Sequence, residues 1–155
     1  MMKLNKAQKK KIHRYCNDIY PLNLYVASGE DLDIINGFFD FYWTVESMRE
    51  GVPNTNSLTE DGSVLGLTCL VVEKKTGSKG VLVVLEDLTE QTYQEQINTI
   101  AHESGHVTTA ICQYLGIPTP TYDGGDEHFA YLLGWVAGCI ANTFIEIKRR
   151  KDETD

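Results

Sequence analysis

Apolar positions recur along this chain in two rhythms, every second residue and every third or fourth, and the switches between them predict its elements. Over residues 5–19, Ile12, Tyr15, Cys16 and Ile19 fall at helical spacing and predict an amphipathic helix ended by Pro21. Residues 22–27 set Leu22, Leu24 and Val26 against Asn23 and Tyr25, the alternation of a strand closed by Ser28-Gly29. From 30 to 39, Leu32, Ile35, Phe38 and Phe39 share one side of a helix, with Ser28 as a candidate cap. The aromatic run Phe41-Tyr42-Trp43, within 40–48, fits a helical continuation and a strand equally. Residues 49–63, with Gly51, Pro53, Asn54, Asn56, Asp61 and Gly62, read as a loop. A hairpin follows, with apolar strands at 64–73 and 80–85 and a turn at 74–79 that contains Gly77.

Two longer helices complete the pattern. Thr92 and Glu95 have the spacing of a capping box, with Thr89 as an alternative start, and Gly116 followed by Pro118 ends that helix after Leu115. Its apolar stripe runs through Ile97, Ile100, Ser104, Val107, Ile111 and Tyr114. After a turn at 116–125, a last helix extends from about 126 to about 149, burying Phe129, Leu132, Leu133, Val136, Cys139, Ile140, Phe144 and Ile147. Gly134 and Gly138, one turn apart, allow close helix packing, and the seam they form is expected to meet the preceding helix. The fold expected is α+β in one domain, 1–155. It has a small mixed or antiparallel sheet of about three strands, an N-terminal helical segment over 1–20, two C-terminal antiparallel helices and a charged tail over 150–155.

Composition narrows the setting. With 155 residues, 42% hydrophobic and 23% charged, the chain is of the size and kind that forms one globular core. Cys16, Cys69, Cys112 and Cys139 are scattered without a C-x-x-C pair, which fits a reduced, cytoplasmic protein rather than a disulfide scaffold or a cysteine zinc knuckle. No apolar run reads as a bilayer span, and the basic N-terminus lacks the apolar stretch of a secretory signal. A net charge of −8 argues against nucleic acid or an anionic membrane as partner. The lysine cluster Lys3, Lys6, Lys9, Lys10, Lys11 with Arg14 reads as a solvated helical end.

The candidate chemistry lies in His102-Glu103-Ser104-Gly105-His106. Residues four apart share a helix face, so His102 and His106 can offer imidazole nitrogens to one Zn²⁺. Glu103, one residue out of line, is placed to act as a general base on a metal-bound water. A third ligand is expected at the start of the last helix, where a short connection returns the chain beside His106. Glu127 is the choice, because it shares a face with Tyr131, Gly134 and Gly138. Asp126 is read as a helix cap or as orienting a histidine, and His128 points about 100° away from Glu127. Tyr131, one turn on from Glu127, is a candidate to steady an oxyanion.

This arrangement, H-E-x-x-H followed by Glu127 on the next helix, resembles the gluzincin branch of the zincin metallopeptidases. With Asp126-Glu127-x-x-Ala130-Tyr131 opening that helix, it is also similar to small proteins of phages and prophage-bearing bacteria. The resemblance covers about the last 60 residues and implies zinc on His102, His106 and Glu127, with Glu103 as general base and a peptide or protein as substrate. It further implies a strand at the cleft edge to which an extended peptide adds, and residues 80–85 are the expected strand. Thr109 and Cys112 stand where the metzincin extension needs Gly and His, which excludes that branch, and Cys112 is expected to serve packing. A non-catalytic zinc-binding or interaction module on the same scaffold is the alternative.

Overall fold

The computed structural model describes residues 11–59, 66–118, 120–122 and 125–154. Its strands are β1 (Ile12–Tyr15), β2 (Asn23–Ser28), β3 (Phe39–Tyr42), β4 (Gly66–Glu73) and β5 (Lys79–Leu85). The helices are α1 (Leu32–Phe38), α2 (Val45–Glu50), α3 (Tyr93–Leu115) and α4 (Glu127–Thr154), with a 3-10 turn at Gly29–Asp31 capped by the Ser28 hydroxyl. The strands form one mixed sheet in the order β1-β2-β5-β4-β3, in which β2 and β5 run parallel and the other neighbours antiparallel.

The sheet is five-stranded because both flanks of the expected three-strand core gain a strand. Residues 12–15 extend beside β2, pairing Ile12 with Ala27 and Tyr15 with Leu24, in place of the N-terminal helix expected there. Ile12, Tyr15, Cys16 and Ile19 keep a helical period, but pairing with β2 satisfies backbone groups that a two-turn helix on the surface would leave to water. Residues 5–10 of the expected helix lie outside the described residues. On the far flank, Phe39–Tyr42 pairs with β4 between Phe39↔Glu73 and Tyr42↔Leu70, which settles the aromatic run as strand followed by helix. The expected loop at 49–63 begins only after α2, whose end is capped by Gly51 in the left-handed conformation. Thr55 then bridges back to Phe41.

β5 sits at the centre, buried from Gly80 to Leu85, which is why its apolar run does not alternate. Val81, Val83 and Leu85 face α3 and α4, where Val107, Ile111, Val136 and Ile140 meet them. Leu82 and Val84 face the opposite layer, where Ile35, Phe39 and Phe41 close the second core. Gly80 permits the close approach of β2: a Cβ there would stand 2.5 Å from the Asn23 carbonyl oxygen and from the Tyr25 ring. That ring ends in a hydroxyl donating to the buried Glu73 carboxylate at 2.5 Å. By length and composition α4 is long and apolar enough to cross a membrane, but its inner side packs on α3 and β2.

The far end of α4 is tied down by charge. Lys151 Nζ lies 2.7 Å from Asp87 Oδ2 and 2.8 Å from Glu30 Oε1. The hydrogen bond from Lys151, reinforced by those from Thr89, holds the Asp87 carboxyl down at about 2, below its ordinary 3.8. A depressed carboxyl stabilises the fold above its unfolded value and loses that contribution as pH falls toward the folded one. Acid melts of wild type should therefore show a drop in Tm between about pH 4 and pH 2 that Lys151→Met flattens. The pair is partly exposed, so the variant should cost no more than about 1 kcal/mol at neutral pH.

Candidate metal centre

α3 is held at both ends by its own sequence. The Thr92 hydroxyl accepts from the Glu95 amide at 3.2 Å, and the Glu95 carboxylate accepts from the Thr92 amide at 2.7 Å, a complete capping box. Gly116, at φ 71°, closes the far end, with its amide bonded to the carbonyls of the last turn. Between these caps the helix buries Glu103, Ser104, Val107, Thr108, Ile111 and Cys112. The covered face is thus turned slightly from the expected stripe: Ile97 is 51% exposed, and a carboxylate lies inside.

His102 and His106 stand on the rim of this face, exposed, with their Nε2 atoms 3.1 Å apart. Either ring can donate to the other, according to which carries its proton on Nε2. Glu103 is 5% exposed, and its Oε2 accepts a hydrogen bond from Thr68 Oγ1 at 2.5 Å. Gly66, two residues earlier on the same face of β4, makes room for this: a Cβ there would lie 2.9 Å from both Cγ and Oε1 of Glu103. Thr68 and Gly66 were not foreseen as parts of the site. Their signal is a polar residue and a glycine at alternate positions of an otherwise apolar strand.

The three motif residues line a cleft of about 650 Å³ between α3, the first half of β4, the chain at Trp43–Val45, and Phe129 and Leu133 of α4. The pairing of β3 with β4 stops at Tyr42↔Leu70, so Gly66–Cys69 has no strand on that side among the described residues. The strand expected at the cleft edge, residues 80–85, is instead enclosed between β2 and β4, and β4 takes its place. Cys69 also lines the cleft, but burial pushes its thiol up to about 12, which keeps it protonated. Cys112 is packed in the core, as expected.

The residues expected from α4 are placed differently. Leu132, Val136 and Ile140 fix its inner side. At about 100° per residue, Glu127, Tyr131, Gly134 and Gly138 then fall on the opposite side. Glu127 is exposed and Tyr131 is 76% exposed. No atom lies within 4 Å of the Cβ position of Gly134 or Gly138, so the small-residue seam does not meet α3. Asp126 precedes the first turn, its carbonyl accepting from the Ala130 amide, and His128 is exposed. Among the described residues no group of three or more His, Cys, Asp or Glu comes together to hold a metal. The structure thus unites His102, Glu103 and His106 and leaves Glu127 and Tyr131 apart from them.

No protein-family model, curated protein or solved structure matches this chain. The site is therefore judged on its donors. Zinc–nitrogen bonds of about 2.0–2.1 Å at tetrahedral angles separate two ligand nitrogens by about 3.3 Å. The Nε2 atoms of His102 and His106, at 3.1 Å, are within a few tenths of an ångström of that span. That separation suits two ligands of one zinc ion, and among the described residues no third His, Cys, Asp or Glu joins them.

The buried Glu103–Thr68 contact is testable by itself. Thr68→Val removes the donor from a carboxylate held inside and should cost about 1–3 kcal/mol in urea unfolding. Combined with Glu103→Gln, the two changes should be clearly less than additive, because both act on one hydrogen bond. Strict additivity would place the Glu103 carboxylate away from Thr68.

Proposed function

We propose that this protein is a zinc-dependent hydrolase of the metallopeptidase kind, acting on a peptide or protein in a reduced, cytoplasmic setting. The observation that carries the reading is the joint placement of His102, His106 and Glu103 along one cleft, beside the first half of β4, which among the described residues pairs with β5 and has no strand on its other edge. His102 and His106 would hold the metal. Bound zinc supplies two effects, acidifying a water and polarising the scissile carbonyl. Glu103 takes the proton of the attacking water and returns it to the leaving amine. With Oε2 occupied by Thr68, Oε1 is the oxygen that handles the proton. The backbone of Gly66–Cys69 aligns an extended substrate by adding it to the sheet, and Trp43, 49% exposed at the cleft, packs against its side chains. This role falls to β4 because, among the described residues, its stretch Gly66–Cys69 has no strand on the cleft side.

One observation favours a second reading. The histidines are joined by no third His, Cys, Asp or Glu among the described residues, which suits a peptide-binding module on the same scaffold that carries zinc without turnover. A peptide-library digest with zinc-loaded protein separates the two. The hydrolase reading expects cleavage that falls by about 10²-fold or more in Glu103→Gln while zinc stays bound. Peptide binding without cleavage, unchanged in Glu103→Gln, would assign the cleft to the second reading.

A further inference from the structure

α4 is apolar on two sides and covered on one. Leu132, Val136, Ile140 and Phe144 enter the core. On the opposite side Tyr131 is 76% and Ile145 54% exposed, with Gly134 and Gly138 open between them. Only 28% of the most apolar stretch of this helix is buried. A helix that is hydrophobic all round is ordinarily covered all round, so the outer face calls for an occupant.

The sequence of that face specifies one. Glu127 lies 11 residues before Gly138, and Arg149 lies 11 residues after it. Tyr131 lies 7 before, and Ile145 lies 7 after. At about 100° per residue all four point within about 20° of Gly138, so they form one straight stripe with a glycine at its midpoint. Glu127 and Arg149 are exposed and have no ion-pair partner among the described residues. We infer that this face is a homodimer contact in which α4 of one copy crosses α4 of a second copy antiparallel at Gly138.

A two-fold contact places each residue before the axis against the residue equally far after it. Here that rule sets Glu127 of one copy beside Arg149 of the other, at both ends. It sets Tyr131 of one copy against Ile145 of the other, an aromatic on an aliphatic. At the crossing Gly138 meets its own equivalent, and the absence of side chains lets the backbones approach closely. Parallel packing would instead put Glu127 against Glu127. A bilayer fits less well, because the other side of the same helix is packed on the sheet, with Thr143 Oγ1 2.7 Å from Tyr15 Oη. Lipid headgroups would require a basic flank at both ends, where this face begins with Glu127 and the chain carries −8 overall. The inference is independent of the hydrolase reading, since neither zinc nor the cleft enters it.

Sedimentation velocity over a wide concentration range, with flotation on phospholipid vesicles run beside it, tests this directly. Wild type should pass from monomer to dimer as concentration rises and should not float. Gly138→Leu should raise the dimer dissociation constant by about tenfold or more. Its monomer should melt no lower than wild type, because the site is open and leucine is the better helix former. Arg149→Glu should weaken the dimer, and adding Glu127→Arg to it should restore the dimer. A wild type that stays monomeric throughout would overturn the inference. So would a double charge reversal that fails to recover, or vesicle binding by wild type that Gly138→Leu abolishes.

Discussion

Adjacent residues of a helix point about 100° apart, and the site depends on that angle more than on any single bond. Once Val107 and Ile111 lock α3 onto β4 and β5, Glu103 is carried inside with them, while His102 and His106 are left on the rim. Burial alone would make a carboxylate there costly. Thr68 provides the hydrogen bond that offsets it, and Gly66 provides the space. The rim histidines need no such support, because each is solvated and faces the other. Packing, buried carboxylate and imidazole pair are therefore set by one helix orientation.

That orientation also shapes the cleft. With β3 ending at Tyr42, the first half of β4 has no strand among the described residues on the side where the histidines emerge. The chain that turns from β3 into α2 brings Trp43 to the opposite wall. α4 closes the end with Phe129 and Leu133 while directing Glu127 and Tyr131 outward. The molecule thus presents two separate surfaces: a groove with polar groups at its floor, and an apolar helix face ending in opposite charges.

Much of this was legible in the residues. The β4–β5 hairpin, the strand read at 22–27 and found at Asn23–Ser28, and the capping box of α3 follow from local patterns strong enough to survive tertiary context. The histidine pair follows from spacing alone. Other parts turned on choices that local pattern does not make. Residues 12–15 match a helical period but pair with β2, since an edge was open there. Residues 39–42 send Phe39 and Phe41 into one core and Tyr42 into the other, with Asp40 half-buried beside it. For α4, the buried face was legible in its bulky positions, and Leu132, Val136, Cys139, Ile140 and Phe144 are buried as their spacing predicts. The seam of Gly134 and Gly138 was expected to meet α3 as well, but it lies on the opposite side and carries Glu127 outward, because bulky side chains remove more apolar surface from water than glycines do.

The proposed function stands on His102 and His106 serving as a pair of zinc ligands beside Glu103 as a separate proton acceptor. Zinc titration by isothermal calorimetry, on wild type, His102→Ala, His106→Ala and Glu103→Gln, tests it most directly. The account predicts one zinc per chain in wild type and in Glu103→Gln, with affinity falling by about tenfold or more in each histidine variant. Equal zinc binding by the histidine variants, or none by wild type, would contradict it.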